Sequence, residues 1–241
     1  MASSHPGFKH EVPEEFIGLA AHTVGRNAVI CDIGSRDALE GIVLCRMLGA
    51  RECHVFEPNP VAAELCRRNI LRHGAGCTMY FNEVGLSDRS GTASFYPVNA
   101  EKSTNKDIGL SSLFKVNPAS TRRRGPVVQD EITIRTTTLD QYFADRPRPD
   151  LLWIDVEGAE LLVFQGGERT LEHVRMIHVE VSFRPSHLGK PLYWELDADL
   201  QRRGFRLLKF MGASRLKAFI YTHKLFWNLP YRWNAVYVRE A

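Results

Sequence analysis

Acidic residues recur at the ends of apolar runs in this 241-residue chain. Asp32 sits in Val29-Ile30-Cys31-Asp32-Ile33-Gly34-Ser35. Glu57 follows Cys53-His54-Val55-Phe56. Asp155 and Glu157 follow Leu151-Leu152-Trp153-Ile154, and Glu180 lies in Ile177-His178-Val179-Glu180-Val181-Ser182. A carboxylate is costly to leave in an apolar strand unless it is paired or used. Carboxylates so placed can accept hydrogen bonds from hydroxyls, hold a cation, or take a proton from an acceptor.

The first turn reads Asp32-Ile33-Gly34-Ser35-Arg36-Asp37-Ala38. At the carboxyl end of a parallel strand, Gly34 lets a ligand approach the backbone. A dinucleotide site would show GxGxxG here, and it is missing. Asp32 would repel a pyrophosphate but suit a cationic sulfonium, which favours S-adenosyl-L-methionine over NAD. Glu57 lies 57 minus 32, or 25, residues further on, close to the ~20-residue spacing of an acid that binds ribose hydroxyls. Asn59 and Pro60 also read as a helix cap and first helical position. Gly85-Leu86-Ser87-Asp88 follows the third strand, where polar groups can reach an adenine amino group, or can form an ordinary turn.

Asp155 and Glu157 are two apart and would share one face of an extended strand. With Glu180 they are the candidate catalytic acids: they could hold the cofactor's cationic end, orient an acceptor hydroxyl or take its proton. Glu160 reads as a helix-start acid, and Glu180 could equally be paired with Arg184. His187 is an outside candidate base, although a lone loop histidine is more often surface. Clustered carboxylates suit a hard cation, but no defined ligand set is legible and no metal is expected.

The elements that must position these residues alternate. Strands at Ala28–Ile33, Glu52–Phe56 and Thr78–Val84 are separated by helices at Leu39–Met47 and Val61–His73. This implies α/β architecture with a parallel sheet and helices on both faces. Right-handed crossovers place the first strand centrally. Strands at Thr92–Tyr96 and Glu131–Thr136 flank a polar stretch, 97–130, long enough to be a lid or binding loop. Buried strands at Leu151–Val156 and Met176–Phe183 follow, then a helix at Trp194–Arg203. Phe205–Phe210 and Ala235–Arg239 could pair as an antiparallel hairpin. The division expected is a helical segment over 1–27 and one catalytic domain over 28–241.

Composition limits the function. The net charge of +3 is too small to argue for nucleic acid, and Arg122-Arg123-Arg124 reads as solvated surface. No apolar run approaches the ~20 residues of a membrane helix. Five cysteines without a CxxC pair fit free thiols in the cytoplasm better than zinc or disulfides. Asn228-Leu229-Pro230-Tyr231 looks like the signature of amino-methylating enzymes, but stands far from Asp155 and reads as a loop. The aromatic tail (Phe219, Tyr221, Phe226, Trp227, Tyr231, Trp233) could be core, substrate wall or partner surface.

Six runs together resemble the FkbM family of methyltransferases. They are Cys31-Asp32-Ile33-Gly34-Ser35, Phe56-Glu57-Pro58-Asn59-Pro60, Gly85-Leu86-Ser87-Asp88, Ser111-Ser112-Leu113, Thr138-Leu139-Asp140 and Asp155-Val156-Glu157-Gly158-Ala159-Glu160. The resemblance implies a Rossmann-like class I fold with a seven-stranded sheet whose last strand is antiparallel. It implies O-methylation of a small molecule or sugar, with Asp32, Gly34 and Glu57 lining the cofactor site. Ser111 and Ser112 match a serine pair that follows the insertion.

The expected cofactor set is therefore Asp32, Gly34, Ser35, Glu57, Pro58, Asn59, Gly85, Leu86, Ser112 and Asp155. The expected partner is a small-molecule or sugar acceptor, and the chain a monomer or homodimer. Arg36-Asp37 departs from the family's usual GANxG-like turn. The rival readings are a nucleic-acid methyltransferase, an NAD enzyme, and a cofactor-binding interaction module without catalysis.

Overall fold

The structure is a computed structural model that describes residues 10–121, 125–214, 219, 222–223 and 232–240. The Arg122–Arg124 run, the Asn228–Tyr231 run and the tail aromatics Tyr221, Phe226 and Trp227 lie outside the described residues.

The chain runs through α1 (Glu14–Thr23), β1 (Val29–Ile33), α2 (Leu39–Leu48), β2 (Glu52–Phe56), α3 (Pro60–His73) and β3 (Met79–Asn82). It continues through β4 (Gly85–Leu86), β5 (Gly91–Phe95), β6 (Ile132–Thr137), α4 (Leu139–Tyr142), β7 (Leu151–Ile154), α5 (Glu160–Gln165) and α6 (Glu168–Leu171). Last come β8 (Met176–Ser182), α7 (Tyr193–Arg202), β9 (Phe205–Phe210) and β10 (Arg232–Arg239). The main sheet has seven strands in the order β3-β2-β1-β7-β8-β10-β9. All neighbours are parallel except β10, which runs antiparallel to both β8 and β9.

Every residue of β1, β2, β7 and β8 is buried, as expected of continuous apolar strands covered by helices on both faces. One face packs Ile33, Phe56, Ile154, Val163, Phe164 and Phe205; the other packs Ile30, Ile42, Leu44, Val55 and Leu151 with Phe16 of α1. Phe16 meets Trp153 and His178 edge-on, both centroids at 5.1 Å, so α1 is part of the main core. Asn59 caps α3, its side chain accepting from Val61 N with Pro60 at the first helical position, the chemistry that favours that start.

Three expectations need correction. The third strand ends at Asn82, not Val84, and Gly85–Leu86 leave the main sheet to pair with β6. With β5 they form a second, three-stranded sheet, order β4-β6-β5. The fourth parallel strand ends at Ile154, because the chain turns through a left-handed Glu157 (φ 49) and Gly158 (φ 120). The last strand starts at Arg232 and is three residues longer at its start than the apolar pattern suggests. The 97–130 stretch carries a short 3-10 turn at Ile108–Leu110 and a small cluster of Val98, Leu110 and Val116. Bridges tie its Ser112 to Tyr96 and its Val116 to His187, and a third joins Val98 to Gln129 within it.

Candidate active site

A cavity of about 1140 Å³, counting the part open to solvent, lies at the carboxyl ends of β1, β2, β7 and β8, where open α/β sheets bind ligands. The first turn contributes Asp32 to Arg36, the end of β2 contributes Phe56 to Asn59, and the third strand's exit contributes Val84, Gly85 and Leu86. Trp153, Asp155, His178 and Glu180 form the floor, and Ile108, Gly109, Ser111 and Leu113 of the insertion form a wall.

Asp32 is buried. Its Oδ2 accepts from Ser35 Oγ at 2.5 Å and from Gly41 N at 3.0 Å, while Oδ1 has no partner among the described residues. Burial, then the charge of Glu40, pushes its carboxyl up to about 8. Ser35 is thus an internal brace, which also accepts from Ala38 N. Gly34 is required for a reason other than ligand approach: at φ 78, a Cβ there would lie 2.1 Å from the carbonyl oxygen of Asp155.

Glu57 is buried against the cavity. Oε1 accepts from Asn59 N at 2.7 Å and Oε2 from Arg36 N at 3.1 Å. Each oxygen keeps a second lone pair for a ligand hydroxyl. Burial pushes this carboxyl up to about 7. Pro58, Asn59, Gly85 and Leu86 line the cavity with it.

Asp155, Glu157 and Glu180 do converge, with carboxylate oxygens within 4.8 Å of one another. They do so by a left-handed turn rather than by sharing a strand face, since β7 has ended before Asp155. Asp155 and Glu180 line the cavity, but Glu157 does not. Glu157 is an internal counter-ion: Arg232 Nη1 lies 2.6 Å from Oε1, and Lys190 Nζ and His187 Nδ1 lie 3.3 and 3.7 Å from Oε2. Burial pushes its carboxyl up, but Lys190 and then Arg232 outweigh this and hold it below the usual carboxylate range.

Glu180 pairs not with Arg184 but with Lys190 (3.2 Å) and Arg232 (3.2 Å). Burial, then the charge of Glu157, still pushes it up to about 7. Asp155 is exposed where it borders the cavity; desolvation by the surrounding protein, then the charges of Glu180 and Glu157, raises its carboxyl above its ordinary range. Such a grouping of oxygens could serve a hard cation, yet the Lys190 ammonium already sits against Glu157 and Glu180.

Two sequence-stated roles fall elsewhere in space. Ser112 does not line the cavity. Its hydroxyl donates to the carbonyls of Val156 and Glu157 at 3.3 and 3.0 Å, pinning the left-handed turn. Its neighbour Ser111 lines the cavity instead, donating to Ile108 O and accepting from Asn59 Nδ2. His187 is buried rather than surface. Its Nε2 lies 3.0 Å from Leu110 O and its Nδ1 3.2 Å from Ser186 Oγ, so both ring nitrogens are engaged.

Lys190 and Arg232 were not singled out by sequence reasoning. Neither stands in a motif, and both reach the site only through the loop after β8 and the antiparallel return of β10. His178 was missed as well: it stacks on Trp153 at 3.5 Å, and burial drives its ring down to about 3, so it is neutral.

The sheet order and a cavity over the β1 turn define the class I methyltransferase type of fold. The chain matches the methyltransferase FkbM domain over residues 32–207. It is 33% identical over 177 residues to the 2-O-methyltransferase NoeI of Sinorhizobium fredii, covering 70% of each chain. It is 27% identical over 170 residues to the hexuronic acid methyltransferase AglP of Haloferax volcanii, covering 70% of this chain and 62% of that one.

Among solved structures it resembles TrmK of M. capricolum in complex with S-adenosyl-homocysteine. The TM-score is 0.50 at 8% identity, over 96% of this chain and 70% of that one, a likeness of fold. The chain belongs to the FkbM methyltransferase family, and S-adenosylmethionine is its methyl donor. The site fits that donor: Asp32 Oδ1 is buried with no partner among the described residues, and the charged residues that line the cavity are acidic apart from Arg36. Among the described residues, no helix is long and apolar enough to cross a membrane.

Proposed function

We propose that this chain transfers a methyl group to a hydroxyl of a sugar or sugar-like small molecule. The observation that carries this reading is the placement of two further carboxyls, the exposed Asp155 and the buried, ion-paired Glu180, along the same cavity as Asp32 and Glu57. The names of the relatives NoeI and AglP, a 2-O-methyltransferase and a hexuronic acid methyltransferase, support it.

Bound S-adenosylmethionine supplies an electrophilic methyl group for in-line displacement. Glu57 accepts hydrogen bonds from the ribose hydroxyls. Gly85 and Leu86 would border the adenine, and Asp32 and Asp155 would face the cationic end, whose charge favours their ionised forms. Glu180 takes the acceptor's proton. A carboxyl poised near 7 is matched to that task at neutral pH, and Lys190 and Arg232 hold it in place. Glu157 serves by fixing those two cations. Ile108, Gly109, Ser111 and Leu113 of the insertion wall the cavity, and the free thiols support a cytoplasmic location.

The test is a panel of sugars and small polyols incubated with isotope-labelled methyl donor and scored by mass. A mass gain of one methylene unit on a hydroxyl acceptor is expected. Tight donor binding with no transfer to any acceptor would favour an interaction module instead.

A further inference from the structure

His178 lines the cavity floor and is 2% exposed. Neither of its ring nitrogens has a hydrogen-bond partner among the described residues. Buried polar atoms are nearly always paired, and an exception calls for an explanation. Packing alone supplies none, since an apolar side chain would fill the same space without leaving polar atoms unpaired.

The ring is held in place. It stacks on Trp153 with centroids 3.5 Å apart and planes 4° apart, and Phe16 closes on it edge-on at 5.1 Å. Burial pushes it down to about 3, which keeps it neutral. A neutral imidazole offers one N–H donor and one lone pair. Either atom can meet a hydroxyl, which both accepts and donates, and an uncharged ring has no charge with which to draw an ion.

Its position separates it from the donor. Asp32, Trp153 and His178 are register partners across β1, β7 and β8. His178 therefore lies two strand spacings, about 9–10 Å at the backbone, from Asp32. The strand that leads to Glu57, β2, is one strand further away. Along β8, by contrast, His178 is two residues from Glu180. The two side chains share one face of the sheet, about 6–7 Å apart along the strand. Asn234, the register partner of Glu180 on β10, lines the same space.

We infer that His178 and Glu180 together read two neighbouring hydroxyls on the acceptor, Glu180 taking the proton of the one that is methylated and His178 hydrogen-bonding the one beside it. The inference rests on the methyl-transfer reading of this cavity and adds a substrate class to it, a vicinal diol. The hydroxyl oxygen gains the methyl group and its proton passes to Glu180, leaving the donor as a neutral thioether. His178 takes no part in that exchange; it selects and positions the acceptor.

The test compares wild type with His178→Phe, which keeps the ring stack, and with the smaller His178→Leu. The probes are the methyl glycosides of glucose, mannose and glucuronic acid, their monodeoxy forms, and simple alcohols. Transfer is scored by mass, and S-adenosylhomocysteine affinity by calorimetry. Wild type should prefer the diol to the form lacking the neighbouring hydroxyl by about tenfold in kcat/KM. Both apolar variants should lose that preference, chiefly through KM, while S-adenosylhomocysteine affinity holds. His178→Gln, which restores a donor and an acceptor, should recover part of it. An unchanged preference in a folded apolar variant would mean that the ring meets only water, and the subsite would fall. It would fall equally if S-adenosylhomocysteine affinity dropped as far as kcat/KM. A wild type that methylates simple alcohols but none of the glycosides would overturn the subsite and leave methyl transfer standing; one that methylates neither would count against both.

Discussion

Lys190 Nζ lies 3.2 Å from Glu180 Oε1, and this buried pair forms part of the support behind the cavity floor. The same ammonium reaches Glu157 at 3.3 Å and Glu160 at 3.9 Å. It thereby joins the turn after β7, the start of α5 and the end of β8. Opposed carboxylates hold the ammonium charged in spite of its burial.

Removing one partner of such a network leaves the others buried and uncompensated, which typically costs about 3–5 kcal/mol. Lys190→Met is therefore expected to lower unfolding stability by about that amount in a urea titration. Where it folds, its activity should require a higher pH, because Glu180 has lost a cation that favours ionisation. Lys190→Arg should recover part of both. A variant with unchanged stability and an unchanged pH profile would contradict this role.

Stability should also depend on pH through Asp32. Its folded carboxyl titrates at about 8, against 3.8 ordinarily, so the unfolded chain releases this proton first. The contribution to stability is present below about pH 4 and is lost as pH rises through about 8. Asp32→Asn removes that penalty and should raise stability at pH 8 by up to a few kcal/mol. Affinity for the cationic donor should fall in the same variant. Chemical denaturation at pH 5 and pH 8 checks the first part: a gain as large at pH 5 as at pH 8 would refute the linkage.

Gly34→Ala should be among the most damaging small substitutions. Its Cβ would stand 2.1 Å from Asp155 O, at φ 78, which forces the ends of β1 and β7 apart. A loss of about 3 kcal/mol or more is expected from clash and backbone strain together. A denaturation midpoint equal to that of the parent would show that the contact relaxes easily.

Much of this was legible in the chain because the chemistry sits on regular elements. The apolar runs, the Asn59-Pro60 helix start and the acids at Asp32, Glu57 and Asp155 follow local rules. The second sheet was not legible, since Gly85–Leu86 is too short to show a period. The turn at Glu157 was misread as extended strand, because nothing in Val156-Glu157-Gly158 announces a left-handed glutamate.

Lys190 and Arg232 escaped notice because their role exists only once β8 and β10 pair. Ser112 and Ser111 illustrate the limit of reading by resemblance. The pair reads as lying near cofactor or substrate; Ser111 borders the cavity and Ser112 does not, because which hydroxyl faces it depends on a single step in the backbone. Arg36, marked by its departure from the family turn, proved to be the lone cation lining the cavity among the described residues.

On the function proposed, the cavity over Gly34 holds S-adenosylmethionine with its ribose on Glu57. Calorimetric titration of S-adenosylhomocysteine into the parent protein and into Glu57→Ala tests it most directly. Two charge-assisted hydrogen bonds should be lost, so the account expects affinity to fall by about 30- to 100-fold, or about 2–3 kcal/mol. Equal affinity in the two proteins would contradict it.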